Sequence, residues 1–286
     1  MDWINRFNNA INYMEEHIKS DIDMERVGRI AGCSSYHFQR MFAYMADVTL
    51  SEYIRRRKMS LAAVDLLSGK KVVDVALSYG YESPTAFNRA FKNIHGIAPS
   101  KISNEGVSVK SYPPIHFHIS VKGECEMNYR IVKKEAFRIV GISTPLEKEL
   151  EKNFEKVPQL WRKVHESGDI SRLLEMMDEN MPGIFGVSTC NNEEDWEYYI
   201  AVANRTDMPD GMDEYIVPAF DWAVFSGEGT GISIQDLECR IVTDWLPTSG
   251  FEYANGPDIE VYFNDDPVNM KYEVWIPVVK KVEREN

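Results

Sequence analysis

The chain has few cysteines and lacks long apolar segments. Its 286 residues include 4 cysteines, and none of them forms a Cys-x-x-Cys pair. They stand singly, at Cys33, Cys125, Cys190 and Cys239. This spacing indicates neither a zinc site nor a disulfide framework. No segment approaches the roughly 20 apolar residues that a membrane-spanning helix needs, and no signal-peptide pattern opens the chain. These absences predict a cytoplasmic protein without a membrane partner.

Basic residues are also scarce, and they are unevenly distributed. The chain has 32 Lys and Arg against 45 Asp and Glu, a formal net charge of -13. Residues 1–101 carry 14 basic and 11 acidic side chains, a net charge of +3, whereas the remaining 185 residues carry 18 and 34, a net charge of -16. Because cationic side chains neutralise nucleic-acid phosphates, DNA binding is expected in the first part. The acidic part should point away from DNA or meet a cationic group.

The most informative pattern is a motif that occurs twice, in residues 23–44 and 72–93. In each copy a short apolar helix pattern is followed by a break, a serine and a second helix with Phe-x-Arg-x-Phe, so that Arg40 corresponds to Arg89. A short helix, a tight turn and a second helix form the helix-turn-helix, whose second helix lies in the DNA major groove. Two copies predict one chain that reads two adjacent grooves. The alternative is a helical bundle without a DNA role.

Local signals support these helices. Ser34 is a suitable N-cap, Ser83 is followed by proline at the first helical position, and residues 50–67 lack Gly and Pro, which predicts a connecting helix. Helical spacing predicts inward stripes at Phe38, Met41, Phe42 and Met45 in the first copy and at Val73, Ala76, Leu77, Phe87 and Phe91 in the second. The other faces of the first recognition helix then carry Tyr36, Gln39 and Arg40.

Residues 5–103 resemble the DNA-binding domain of the AraC/XylS transcription regulators, through residues 34–42, 53–59 and 91–100. The resemblance implies two helix-turn-helix units that are joined by a long helix and bind double-stranded DNA with one face. The expected DNA-contacting residues are Tyr36, Gln39, Arg40, Arg55, Thr85, Asn88, Arg89 and Lys92. Pro84 also falls on a base-contacting position of the family, and because proline lacks a side-chain donor, the second helix should read fewer bases directly.

The helical character ends in residues 104–114, which include the Pro113-Pro114 pair. We therefore expect a DNA-binding domain at 1–105, a linker with a leading strand at 106–126, and a second domain at 127–283. The patterns in the second domain predict strands at 127–132, 136–143, 183–189, 198–204, 222–227, 251–253, 259–263 and 271–279, and helices at 157–167, 171–177 and 233–245. The order strand, helix, strands occurs twice, which predicts an α+β domain of two similar halves with a ligand cleft at their seam.

Residues 127–280 resemble the GyrI-like effector-binding domain, through residues 158–161, 183–187, 245–253, 257–262 and 275–277. The resemblance implies an aromatic cleft in which one carboxylate binds cationic, lipophilic ligands. Glu260 matches that carboxylate, and strand alternation places it on one face with Asp258 and Tyr262. The candidate walls of the cleft are Trp161, Tyr198, Tyr262 and Trp275.

Two functions are compatible with this organisation. The first is a transcription regulator whose second domain senses a small cationic or amphipathic effector, with RNA polymerase as a further candidate partner. The second is a hydrolase in which a buried glutamate is the general base, although no Ser or Cys lies in a recognisable nucleophile pattern. We favour the regulator, without enzymatic activity or a cofactor.

Two further expectations concern metal binding and assembly. His116-x-His118 alone lacks the additional ligands of a metal site, so no metal is expected. Because no coiled-coil heptad lies between the domains and one chain carries both helix-turn-helix units, we expect a monomer on an asymmetric DNA site.

Overall fold

The computed structural model describes residues 3–104, 107–118, 126–189, 196–264 and 266–281, which form a helical domain and an α+β domain. The helices of the first domain are α1 (Trp3–Glu16), α2 (Met24–Ala31), α3 (Ser35–Ala46), α4 (Leu50–Leu67), α5 (Val72–Ser78) and α6 (Pro84–His95), followed by a 3₁₀ turn at Pro99–Lys101. The pairs α2–α3 and α5–α6 are the two predicted helix-turn-helix units, and α4 is the connecting helix. The predicted double helix-turn-helix domain is confirmed.

Side-chain caps set where the two recognition helices begin. The hydroxyls of Ser34 and Ser83 each accept a hydrogen bond from the backbone amide three residues later. Each cap satisfies one of the donors that the first helical turn leaves unpaired. Glycine is needed inside the first unit, because a Cβ on Gly28 would lie 2.7 Å from the carbonyl oxygen of Cys33. The turn between α2 and α3 can therefore pack directly on α2.

Each unit has its own apolar core. Phe38 and Phe42 of α3 are fully buried, and the rings of Phe7 and Phe38 stack with centroids 4.4 Å apart. Phe87 and Phe91 of α6 occupy the equivalent places in the second core. The Phe-x-Arg-x-Phe motif therefore supplies the inward side of both recognition helices.

The inward stripe predicted for α5 is confirmed at Ala76, which is buried, and is wrong at Val73 and Leu77. Val73 and Leu77 are 52% and 62% exposed, whereas Val75 and Tyr79 are buried in the second core. The helix has apolar side chains on both sides, so its spacing alone does not select one of them. Packing against α4 and α6 determines which side is buried.

Residues 107–118 lie along the helical domain. The amide and the carbonyl of Phe117 both hydrogen-bond the side chain of Asn8 at 2.9 Å. The amide of Tyr112 donates to Ser60 at 2.9 Å, and its carbonyl accepts from Arg57 at 2.5 Å. The described part of the expected linker contains no strand and packs as an extension of the first domain.

The second domain is built on an antiparallel sheet. Its strands are β1 (Tyr129–Lys134), β2 (Phe137–Pro145), β3 (Ile184–Ser188), β4 (Glu197–Ala203), β5 (Asp213–Val217), β6 (Phe220–Gly229), β7 (Phe251–Tyr253), β8 (Asp258–Tyr262) and β9 (Met270–Lys280). Its helices are α7 (Leu150–Ser167), α8 (Asp169–Glu175), α9 (Gly231–Arg240) and α10 (Leu246–Thr248), with a π-helical turn at Ile241–Trp245. The strand order is β1-β6-β9-β8-β3-β4-β2-β5, and β7 pairs with β9.

The sheet consists of two similar halves that meet at the β3–β8 pair. One half runs β2, α7, β3, β4 along the chain, and the other runs β6, α9, β8, β9. In the sheet, β6-β9-β8 mirrors β2-β4-β3 on the other side of the seam. The predicted α+β domain of two halves is confirmed, and its seam lies between β3 and β8.

Among the differences from the sequence prediction are those at α7 and β5. α7 begins at Leu150 and contains Pro158 in its interior, whereas we expected a start at residue 157. A proline inside a helix loses one backbone hydrogen bond, and α7 packs on the sheet through Leu160 and Val164. β5 (Asp213–Val217) was not predicted, because it is a short strand that begins with two acidic residues and lies at the edge of the sheet, where it pairs with β2.

Candidate ligand cleft and DNA-recognition surface

The second recognition helix, α6, presents its predicted DNA-contacting side chains to solvent. The exposed residues on this side are Pro84, Thr85, Asn88, Arg89 and Lys92. Arg55 of α4 is exposed as well, and its guanidinium pairs with Glu52 at 2.8 Å. The second helix-turn-helix unit therefore has an accessible face, and DNA contact by these residues stays a prediction.

The first recognition helix, α3, is enclosed between the two domains. Its predicted DNA-contacting side faces the second domain, so that Tyr36 is 5% and Gln39 9% exposed. The ring of Tyr36 meets Trp196 edge to face at a centroid distance of 5.2 Å. The side-chain amide of Gln39 donates to the carbonyl of Lys148 at 3.2 Å. In this arrangement the two side chains cannot reach DNA.

Arg40 is held by two carboxylates of the second domain. One guanidinium nitrogen lies 2.9 Å from Asp258 of β8, and the other lies 2.7 Å from Glu238 of α9. The hydroxyl of Tyr44 accepts from Arg40 at 3.0 Å and donates to Glu238 at 2.5 Å. The charged side chains are only 10–15% exposed. The acidic part of the chain thus meets a cationic group, which is the arginine expected to read DNA.

His37 joins the same cluster, although its sequence position did not suggest a role. Its Nε2 atom lies 2.9 Å from Asp258 and 2.6 Å from the hydroxyl of Tyr253, which also hydrogen-bonds Asp258. Burial is the largest single influence on Asp258 and acts to raise its pKa, but the attraction of His37 and Arg40, together with hydrogen bonds from His37 and Tyr253, outweighs burial and lowers that pKa to about 2. Asp258 is therefore ionised at neutral pH and pairs with His37 and Arg40 of α3.

The contact between the domains extends beyond α3. Arg6 of α1 pairs with Glu252 of β7 at 2.7 Å, and Ser51 hydrogen-bonds Glu151. Val242 in the π-helical turn packs against the apolar core of the first helix-turn-helix unit. Residues of α1, α3 and the start of α4 therefore all contact the second domain.

Four of the five predicted ligand-site residues come together at the seam. Glu260 of β8 lies opposite Gly186 of β3 and accepts a hydrogen bond from Tyr262 at 2.6 Å. The indole of Trp161 donates to the hydroxyl of Tyr198 at 3.0 Å. The rings of Trp161 and Tyr262 meet edge to face at 5.1 Å. Side chains from β4, β8 and α7 therefore surround one carboxylate.

Gly186 makes this cluster sterically feasible. A Cβ at this position would lie 2.4 Å from the hydroxyl of Tyr198 and 3.2 Å from a carboxylate oxygen of Glu260. Glycine inside a strand often marks such a close approach. The sequence contained this signal, since Gly186 interrupts an apolar strand pattern.

The protonation of Glu260 depends on its neighbours. Burial raises its pKa to about 8, and Glu238 adds to the rise through repulsion and a hydrogen bond, whereas Tyr262 and Arg40 oppose it. At neutral pH a protonated Glu260 can donate a hydrogen bond to the carboxylate of Glu238. A cation beside Glu260 would favour its ionised form, because an opposite charge lowers a carboxyl pKa.

Trp275 lies away from this cluster, which corrects the expectation that it lines the cleft. In the β8–β9 register Val274 lies opposite Glu260, and Trp275 lies opposite Ile259 on the other face of the sheet. There its ring packs against Phe185 and Trp222 in a separate apolar core. Strand alternation around Glu260 could not place a residue of β9, because that placement depends on the register between the strands.

The remaining candidate groups do not form a further centre. The rings of His116 and His118 lie 4.7 Å apart, and the described residues contain no group of three or more His, Cys, Asp or Glu that could hold a metal ion. Cys33 and Cys239 are free thiols, and Cys125 and Cys190 lie outside the described residues. Within the described ranges, no helix is long and apolar enough to cross a membrane.

The double helix-turn-helix domain and the two-halved sheet with its seam carboxylate define a class of protein, the DNA-binding transcription regulator with a small-molecule-sensing domain. Comparison with protein families agrees. Residues 127–279 match the GyrI-like small molecule binding domain, and residues 27–105 match a helix-turn-helix domain. The chain belongs to the GyrI-like family and carries an AraC-type DNA-binding domain in front of it.

The chain is also similar to full-length regulators. It is 26% identical to the transcriptional regulator Rob of Salmonella typhimurium and 25% identical to the right origin-binding protein of Escherichia coli, in each case over 97% of this chain and 99% of the relative. The regulatory protein SoxS of Salmonella typhimurium is 36% identical over 32% of this chain and 85% of its own length. The likeness to the first two spans both domains.

Proposed function

We propose that the second domain senses a lipophilic organic cation and that Glu260 is its anchor. The observation that supports this is one carboxylate at the seam of the two halves, surrounded by Trp161, Tyr198 and Tyr262. A cation that leaves water loses hydration, and a carboxylate with aromatic neighbours replaces part of it. The negative charge of the second part of the chain would concentrate cations near the cleft.

On DNA, the proposed unit is a monomer that reads two adjacent grooves, with α6 in one and α3 in the other. The repeat of Arg40 and Arg89 supports this proposal, as does the exposed face of α6. Contacts by Tyr36, Gln39 and Arg40 require α3 to leave the second domain. The protein would act in the cytoplasm, with RNA polymerase as a further partner.

A hydrolase is the second candidate, and the raised pKa of Glu260 favours it, because a general base works best with a pKa near the ambient pH. The sensor is the better proposal, since the polar side chains that act on Glu260 among the described residues are Tyr198, Tyr262, Glu238 and Arg40, and none of these is a serine or cysteine nucleophile. The full-length relatives are named as a transcriptional regulator and an origin-binding protein. Turnover of small esters by the full chain, abolished by Glu260→Gln, would favour the hydrolase.

Calorimetry with two ligands of similar shape tests the sensor. Methyltriphenylphosphonium is a cation, and triphenylphosphine oxide is neutral. Glu260→Gln keeps the shape of the cleft and removes its charge. It should weaken binding of the cation about tenfold or more and binding of the neutral compound about twofold or less. A tenfold change in affinity corresponds to about 1.4 kcal/mol. Glu228→Gln, an exposed position on β6, controls for the loss of one charge. Equal losses for both ligands would contradict Glu260 as a charge anchor.

A further inference from the structure

The DNA-reading side of α3 lies where the proposed ligand would bind. α3 contacts α7, α9 and the π-helical turn, which cover the same face of the sheet as Glu260. Tyr36 belongs to one apolar core with Tyr198, and Trp161 packs against that core. An aromatic ring and a guanidinium from the first domain therefore fill the region beside the anchor. These are the two chemical features of a lipophilic cation.

Arg40 also uses the carboxylates that would serve such a cation. Glu238 bonds Arg40 at 2.7 Å and hydrogen-bonds Glu260, so it links the two groups directly. Asp258, the second partner of Arg40, shares a strand face with Glu260. A free cation and Arg40 would compete for the same negative charge.

In the docked arrangement, the space where Arg40 meets its two carboxylates is small. A cavity between α3, α9 and the sheet is lined by Arg40, Tyr44 and Glu238 among others, but not by Glu260, and has a volume of about 40 Å³. Such a volume holds a few water molecules, whereas a drug-sized ligand needs roughly 300 Å³ or more. A ligand of that size could enter here only if α3 withdrew.

We propose that α3 is an internal occupant of the effector cleft and that a cationic effector releases it for DNA. This inference rests on the proposed ligand chemistry of the cleft. A bidentate contact to guanine needs the guanidinium donors of Arg40, which are engaged by Asp258 and Glu238 in the docked form. The docked protein therefore reads DNA with α6 alone, and the released protein reads it with both helices. Linkage then requires effector and DNA to strengthen each other's binding by the same factor.

A charge reversal outside both functional surfaces can separate the domains. The Arg6–Glu252 pair joins α1 to β7 at 2.7 Å, and neither residue belongs to the proposed DNA contacts or ligand anchor. Glu252→Arg places two arginines against each other, and the double exchange Arg6→Glu with Glu252→Arg restores the attraction. Glu214→Arg, at an exposed position on β5, makes the same change in net charge away from the interface.

The full-length chains are compared in three measurements. Small-angle scattering reports whether the domains are apart, and calorimetry measures the affinity for methyltriphenylphosphonium. DNA affinity is measured on a duplex that the Glu252→Arg chain has selected from a random library. For the wild type, saturating cation should raise DNA affinity about tenfold, within the usual range of allosteric coupling. Glu252→Arg should have this affinity without the cation and should bind the cation more tightly than the wild type. The double exchange and Glu214→Arg should behave like the wild type.

The outcomes separate this inference from the proposed ligand class. If the domains are apart in Glu252→Arg but its cation affinity equals that of the wild type, α3 and the cation do not compete. This result would overturn the inference and leave cation sensing intact. Cation binding to neither chain would overturn the ligand class, and the DNA affinity of Glu252→Arg would then decide whether α3 docking is inhibitory. If scattering shows Glu252→Arg still docked, Val242→Arg repeats the test, because it places a charge against the core that Val242 contacts.

Discussion

Glu260→Gln should reduce the pH dependence of stability, because glutamine has the shape of a protonated carboxyl group and cannot ionise. In the folded protein Glu260 accepts from Tyr262 at 2.6 Å and hydrogen-bonds Glu238. A glutamine can accept through its oxygen and donate through its nitrogen. The variant therefore reproduces both hydrogen bonds of protonated Glu260 at every pH.

The magnitude follows from the pKa of Glu260, which burial raises from 4.5 to about 8. The folded protein then holds this proton more tightly than the unfolded chain. The resulting stabilisation is fully present below pH 4.5 and is lost as the pH rises through about 8. The full shift would remove about 2–3 kcal/mol between pH 5 and pH 7. Because the side chain keeps partial solvent exposure, we expect a smaller loss, on the order of 1–2 kcal/mol.

Urea unfolding followed by tryptophan fluorescence at several pH values between 5 and 8.5 measures this loss. The free energy of unfolding of Glu260→Gln minus that of the wild type should grow with pH, since titrations of other groups cancel in the difference. Glu228→Gln removes a carboxylate from an exposed position and controls for the loss of one charge. Parallel curves for the wild type and Glu260→Gln would refute the reasoning, because Glu260 would then be ionised in the folded protein throughout this range.

Two further predictions concern the floor of the cleft and the exposed recognition helix. Gly186→Ala should weaken cation binding by about 1–3 kcal/mol, because its Cβ would displace the hydroxyl of Tyr198 from a distance of 2.4 Å. Calorimetry measures the effect, Gly231→Ala is the control at a site with open space, and unchanged affinity would place the ligand elsewhere. Arg89→Ala should reduce the binding free energy for a selected duplex by about 1–3 kcal/mol and relax the sequence preference at one base pair. Lys92→Ala should instead weaken binding to all duplexes alike. Competition binding checks this, and equal losses on selected and random DNA would make Arg89 a phosphate contact.

Much of the fold could be predicted because its signals are local. The caps Ser34 and Ser83 and the Phe-x-Arg-x-Phe motif depend only on residues within one or two turns of helix. The errors occurred where local patterns are ambiguous. α5 has apolar side chains on two sides, and the edge strand β5 is short and acidic. In neither element does the spacing of apolar residues identify the buried face.

For the ligand site, residues of one strand could be placed together and residues of different strands could not. Alternation along β8 was enough to put Glu260, Asp258 and Tyr262 on one face. Placing Trp275 required knowledge of the register of β9 against β8. Backbone pairing and the packing of the cores on the two faces of the sheet together determine that register. Glu238 carried no signal, because its role depends on where α9 crosses the sheet.

The two recognition arginines show most clearly what the sequence determines and what the tertiary structure determines. Sequence alone makes Arg40 and Arg89 equivalent, since both occupy the same place in a repeated motif and both lie off the apolar stripe. The folded chain makes them different, because Arg89 is exposed while Arg40 is bonded to Glu238 and Asp258, which lie 198 and 218 positions away along the chain. Periodicity reports which side chains share a face of one helix. What covers that face depends on how distant segments pack and exclude water, and this is a property of the whole folded chain.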